Sequence, residues 1–216
     1  CQLFTLSLET PKEFCSKVLS ISGGTLTGYA AGSQGTISNL TSNVVLSGTM
    51  ALNDTLNVGS NTVVNNGGTL SIGNVVNVAG KFRQTSGTLD LGSSGRLVVS
   101  QAASITGGTI SVANLSSSAN YLAGATMGVL VQGGAGSNYS GASLNIAGVA
   151  GLVAGAATSG NNLVLGIEND YVGGTLASIA NTGSISADYA LYVTSGGSLG
   201  GLSNSGTLSG SAAAIH

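Results

Sequence analysis

Charge, proline, tryptophan and histidine are all scarce in this chain of 216 residues. Five Lys and Arg stand against seven Asp and Glu. No basic stripe is available to neutralise phosphates, so nucleic acid is not an expected partner. Trp is absent and the aromatics are six Tyr and three Phe, which argues against a globular core hung on large anchors. With one His, His216 at the very end, no Ser-His-Asp constellation is credible. Two Cys without a neighbouring His do not complete a tetrahedral metal site. Neither a catalytic function nor a cofactor is therefore expected. Gly, Ser and Asn interrupt every apolar stretch before it reaches the roughly 18 residues of a transmembrane helix, and the aromatic girdles of a membrane barrel are missing. The mean hydropathy is nonetheless positive, which excludes ordinary disorder.

What the chain has in quantity is Gly, 36 residues of it, and a repeated phrase. Gly-Thr followed by an aliphatic residue recurs at Thr49-Met50, Thr69-Leu70, Thr88-Leu89 and Thr109-Ile110. The interval is nearly constant at about 20 residues, and such a period marks one supersecondary unit wound repeatedly. Within each unit the apolar residues fall into three clusters. The first alternates strictly: Met50 and Leu52, Leu70 and Ile72, Leu89 and Leu91, Ile110 and Val112. Spacing of two puts both side chains on one face of a strand. The second pairs Leu56 with Val58, Val76 with Val78 and Leu97 with Val99; the third is Val63, Phe82 and Ala103. Between clusters lie Gly, Ser and Asn, which tolerate positive φ or hydrogen-bond locally and let the chain turn.

These features predict an all-β fold: a parallel β-helix, or β-solenoid, of about 20–23 residues per coil with three short strands per coil. Leu70 is expected to stack on Met50, and Leu89 on Leu70. Roughly ten coils at about 4.8 Å each make a rod on the order of 50 Å long, a single elongated domain over residues 22–216.

A second repeat separates Thr175 from Ser198, and Ser184 from Thr207, by one shared interval slightly longer than that of the first. It aligns residues 173–186 with 196–209 and extends to residues 188–192 against 211–215. This phrase, together with residues 129–141 and 169–174, resembles the repeats of autotransporter passenger domains of Gram-negative bacteria. The resemblance covers roughly residues 22 to 216. It implies a right-handed β-helix, secreted or displayed at the bacterial cell surface, whose partner is a host-cell or matrix glycan or protein. It also implies an outer-membrane barrel beyond this chain, which starts without Met and stops at His216 in mid-repeat as a fragment does.

Residues 1–21 break the pattern, with four charges (Glu9, Lys12, Glu13, Lys17), the single Pro and both Cys. Thr10 as N-cap, Pro11 at N1 and Glu13 at N3 predict a short capping helix through about Leu19, with Phe14 and Val18 on one face. The alternative is a segment foreign to the solenoid. Cys1 and Cys15 are a candidate disulfide that would staple the cap; unpaired thiols and a lipid-anchored Cys1 are the other readings.

Among the carboxylates, Glu168 and Asp170 are two apart, so on a strand they would share a face as an acidic pair of calcium-binding or acid-base type. The simpler reading is a polar corner before Tyr171. Lys81, Arg83, Asp90 and Arg96 fall on adjacent coils as a prospective surface ion-pair patch. Asn39, Asn53, Asn114 and Asn138 begin Asn-x-Ser/Thr sequences of the kind so polar a chain contains by chance. Rows of Thr, Ser and Asn repeated coil by coil can bind glycans, ordered water or another solenoid; Asn stacks also satisfy one another internally. The expected role is a structural or adhesive solenoid. A self-assembling fibre subunit is the second reading and a glycan-degrading β-helix enzyme the third.

Overall fold

The structure, a computed structural model, describes residues 19–26, 35–38, 40–147 and 149–216, without the side chains of 24–26. Among the described residues there is no helix, and the strands form the stacked parallel coils of a β-solenoid, about nine turns in all. Contacts divide the chain into two compact units. One is built from residues up to Val112 with Val129–Asn145 and Thr158–Leu163; the other comprises Ala113–Gly128, Ile146–Ala157 and Val164–His216.

The first unit contains β1 (Leu19–Leu26), β2 (Thr36–Ile37), β3 (Val44–Leu52), β4 (Thr55–Ser71), β5 (Val75–Asp90), β6 (Arg96–Val99), β7 (Ala103–Ile105) and β8 (Thr109–Val112). All three faces of one coil are visible where β6, β7 and β8 each pair in parallel with a different part of the long strand β5. The expected columns form: Met50 pairs with Leu70, Leu70 with Leu89 and Leu89 with Ile110. Val63, Phe82 and Ala103 make another. All seven side chains are buried. Each aliphatic side chain so stacked stabilises the coil by about 1.5–3 kcal/mol.

Each Gly-Thr phrase has a left-handed glycine beside its Thr, the Gly itself in three phrases and the preceding Gly67 in the fourth. Gly48, Gly87 and Gly108 have φ of 69°, 83° and 81°, a left-handed backbone that a Cβ disfavours. Successive backbones also touch there, since a Cβ on Gly87 would run into the Gly68 carbonyl.

One column departs from the expected alignment. Leu56 pairs with Val78, not with Val76. Residues 58–61 are an excursion in β4 opposite Gly80 alone, because pairing resumes at Thr62↔Lys81. A slip of two keeps every side chain on its own face, so hydrophobic alternation alone does not reveal it. Val58 turns inward into the space that a Cβ on Gly80 would occupy. At the N-terminal side, β1 already pairs with β3 from Leu19↔Val44, so coil pairing begins before residue 22 and Leu19 ends no helix. The remainder of the proposed cap lies outside the described residues, as do Cys1 and Cys15.

The next strands in the chain are β9 (Asn120–Tyr121), β10 (Thr126–Gln132), β11 (Ser143–Ile146), β12 (Ala154–Ser159) and β13 (Asn162–Ile167). Within the first unit, Val131 of β10 stacks on Leu97 and Asn138 bridges to Ser104, adding a further coil. Tyr139 closes this coil with its hydroxyl donating to the Asn161 carbonyl at 2.9 Å.

The second unit contains β14 (Asp170–Val172), β15 (Thr175–Leu176), β16 (Ile179–Asn181), β17 (Ser184–Val193), β18 (Ser198–Leu199), β19 (Leu202–Asn204) and β20 (Thr207–Ile215). β15 pairs with β18, β16 with β19, and β17 lies between β14 and β20. The interval of the second repeat is kept without change from Thr175↔Ser198 to Ala187↔Gly210. It then lengthens by one, with Tyr189 opposite Ala213 and Leu191 opposite Ile215, which corrects the alignment of residues 188–192 with 211–215. Tyrosines join the core here: Tyr121, Tyr171 and Ile167 are buried together, with Tyr192 packed against them, beside an aliphatic cluster of Val172, Ile179 and Leu191.

Candidate functional site

Three features in this chain hold functional side chains in fixed geometry: polar ladders, an aromatic stack and a groove. The ladders arise because a residue at one corner or face recurs one coil later, directly above itself. Asn181 Nδ2 donates to Asn204 Oδ1 at 2.8 Å, while the two Oδ1 atoms accept from the Gly183 and Gly206 amides. This is the internal stacking expected of asparagines. A second ladder, absent from the apolar pattern of the sequence, lies inside the first unit. Asn65 Nδ2 donates to Gln84 Oε1 at 2.9 Å, and Gln84 Nε2 reaches the carbonyls of Gly107 and Thr109. Both residues are fully buried in a column that passes from Ile21 and Leu46 to Ile105.

The aromatic stack belongs to the second unit. The rings of Tyr171 and Tyr192 lie parallel at 5.8 Å, and those of Tyr192 and His216 at 4.7 Å. Tyr121 and Tyr189 tilt against this stack. Burial raises the Tyr171 pKa, and the neighbouring phenols Tyr192 and Tyr121 raise it further. Tyr139, in the first unit, is raised by burial and lowered in part by its hydrogen bond with Ser137. His216 is thus the outer ring of a stack, a placement no local motif announces.

The groove, of about 700 Å³, lies wholly in the second unit. One wall is Ser178–Ser186, the strand β16 and the start of β17; the other is Leu122–Gly124 with Ile167, Glu168 and Asp170. Both sequence-proposed carboxylates therefore line it, but they differ in setting. Glu168 is exposed and its amide donates to the Val153 carbonyl. Asp170 is buried, and its Oδ1 accepts from the Ala123 amide at 2.9 Å. Between them the chain turns at Asn169, which is fully buried and clamps two other segments: it accepts from the Val153 amide and donates to the carbonyls of Gly151 and Tyr189. Ser178, Thr182, Ser184 and Ser186 supply hydroxyls, and no basic side chain lines the groove.

The remaining sequence-proposed residues have other placements. Lys81 and Arg83 point outward from β5. Asp90 accepts from Ser71 Oγ and from the Gly92 amide, and among the described residues it forms no ion pair with Arg83 or Arg96. Arg96 Nε is buried without a hydrogen-bond partner. Asn138 accepts from the Ser140 amide in a local turn. Gly196-Gly197-Ser198-Leu199-Gly200 spells Gly-x-Ser-x-Gly, whose catalytic form needs its Ser on a strand-to-helix turn. Ser198 instead sits in β18, paired with Thr175. Among the described residues, no cluster of three or more His, Cys, Asp or Glu is arranged to hold a metal.

No protein-family model, curated protein or solved structure matches this chain.

Proposed function

We propose that this chain is a non-catalytic, surface-displayed adhesive solenoid of the autotransporter passenger type. The observation that carries this reading is the threonine row of the first unit. Thr49, Thr69, Thr88 and Thr109 stand in register on four successive coils, at the roughly 4.8 Å separation of neighbouring strands. None of the four is buried. A row of identical hydroxyls on a stiff support presents many weak hydrogen-bonding contacts at once, and their joint engagement of a repeating glycan or matrix surface multiplies affinity. The export route rests on the resemblance of residues 173–186 and 196–209 to passenger repeats.

Binding to immobilised host glycans and matrix proteins tests the proposal. Dense display should give retention at least tenfold stronger than sparse display, and Thr→Ala changes at all four positions should abolish the difference. Absence of retention on broad panels would leave a scaffold role.

A second reading, end-to-end assembly, is favoured by β18, β19 and β20. Among the described residues each has one strand partner, and a strand edge of this kind can pair with another coil. Sedimentation that stays monomeric at every concentration would remove this reading.

A further inference from the structure

We propose that the groove of the second unit is a docking site for an extended peptide segment of another protein, which adds as a strand beside β16 and sets a Lys or Arg against Glu168. Among the described residues β16 has a single strand partner, β19. The Ile179 amide donates to Gly201 and the Asn181 carbonyl accepts from Ser205, each at 2.9 Å, so these two residues turn their backbone groups toward β19. Alternation along a parallel strand turns the Ala180 amide and carbonyl to the opposite edge, along which the groove runs. Ala180 is exposed. The neighbouring strand repeats the situation. β17 pairs with β14 only from Leu191 to Val193, and Ser184 to Ala187 are paired on the β20 side alone.

The dimensions suit a strand. A β-strand occupies about 4.8 Å between neighbours, about 10 Å through the sheet and about 3.3 Å per residue, or roughly 160 Å³ per residue. A volume of about 700 Å³ then takes four or five residues. Among the described residues the lining carries two charged side chains, both acidic: Asp170 is buried on the Ala123 amide, and Glu168 presents the exposed carboxylate. Ile179 and Ile185 turn inward beneath the open edge, so alternate apolar residues of the guest would extend the columns that Leu202 and Leu208 continue on the other side. Main-chain bonds supply affinity in strand addition, and the flanking side chains supply selection. This inference does not depend on export or on the threonine row.

The test uses the full chain and an acetylated, fluorescein-labelled hexapeptide of alternating valine and threonine with one central lysine, followed by anisotropy. Saturable binding is expected. It should weaken about tenfold or more when alternate peptide amides are N-methylated, and again when glutamate replaces the lysine. Ala180→Pro removes the groove-facing amide while leaving the bonds to β19, and should weaken binding to a similar extent with an unchanged far-UV spectrum. Glu168→Gln should reduce the preference for lysine over glutamate. Equal binding of the N-methylated peptide overturns the proposal even if Ala180→Pro does not fold. So does occupation of the groove by soluble oligosaccharides with the peptide silent.

Discussion

At the scale of single residues, glycine decides where this chain can turn. Gly87 combines a φ of 83° with a neighbour, the Gly68 carbonyl, in the space a Cβ would take. Gly87→Ala should therefore destabilise the fold by about 1–3 kcal/mol. Gly73, where a Cβ would have nothing within 4 Å, should tolerate alanine within about 0.5 kcal/mol. Urea midpoints of the two variants check the contrast. Tyr171 supplies a second prediction. Its pKa in the folded chain is raised above the ordinary 10.0, so the folded state holds the phenolic proton more tightly than the unfolded chain does. The stability this contributes is fully present below pH 10.0 and is lost as the pH climbs through the higher folded value. Tyr139 acts in the same direction. Thermal melts from pH 8 to 12 should show Tm falling on the alkaline side, and Tyr171→Phe should flatten part of that fall. An unchanged slope would contradict it.

At the scale of elements, the Asn65 and Gln84 ladder sets a polar pair inside a column that is otherwise aliphatic. Asn65 Oδ1 is buried without a hydrogen-bond partner, so the pair is only partly satisfied. Gln84→Leu alone takes one acceptor from Asn65 Nδ2, which keeps its bond to the Thr88 carbonyl, and should cost about 1 kcal/mol. Replacing both residues by leucine would join Leu46 to Ile105 through one aliphatic column and should be neutral or stabilising. A double-mutant cycle by urea denaturation measures this, and a double variant that loses as much as the two single losses summed would contradict it. The inward pairs that begin each Gly-Thr phrase were legible in the sequence, because a strand repeats every two residues and burial follows that repeat. The excursion at residues 58–61 was not, since a slip of two preserves the alternation, and only the neighbouring coil reveals which residues pair.

At the scale of the whole molecule, a solenoid's stability is close to a sum over coils and their interfaces. Thr69 and Thr88 occupy equivalent positions, as do Leu70 and Leu89. Deleting residues 69–87 should leave a folded chain whose urea m-value falls, because less surface is exposed on unfolding. Loss of cooperative unfolding would show instead that this coil is indispensable. Glu168 and Asp170 were legible as a pair but not as the edge of a groove. Asn169 turns the chain between them, and its partners Gly151, Val153 and Tyr189 are distant in sequence.

The sequence by itself determined the coil: its period, its inward aliphatic pairs and the glycines at its corners. All of these follow from the strand repeat of two and from backbone conformations that each residue favours locally. Only the tertiary structure decided the division into two units, the places where an offset shifts, the stack of Tyr171, Tyr192 and His216 and the open edge of β16. These depend on which segments meet across the fold, and packing between coils selects among registers that the alternating pattern leaves equal.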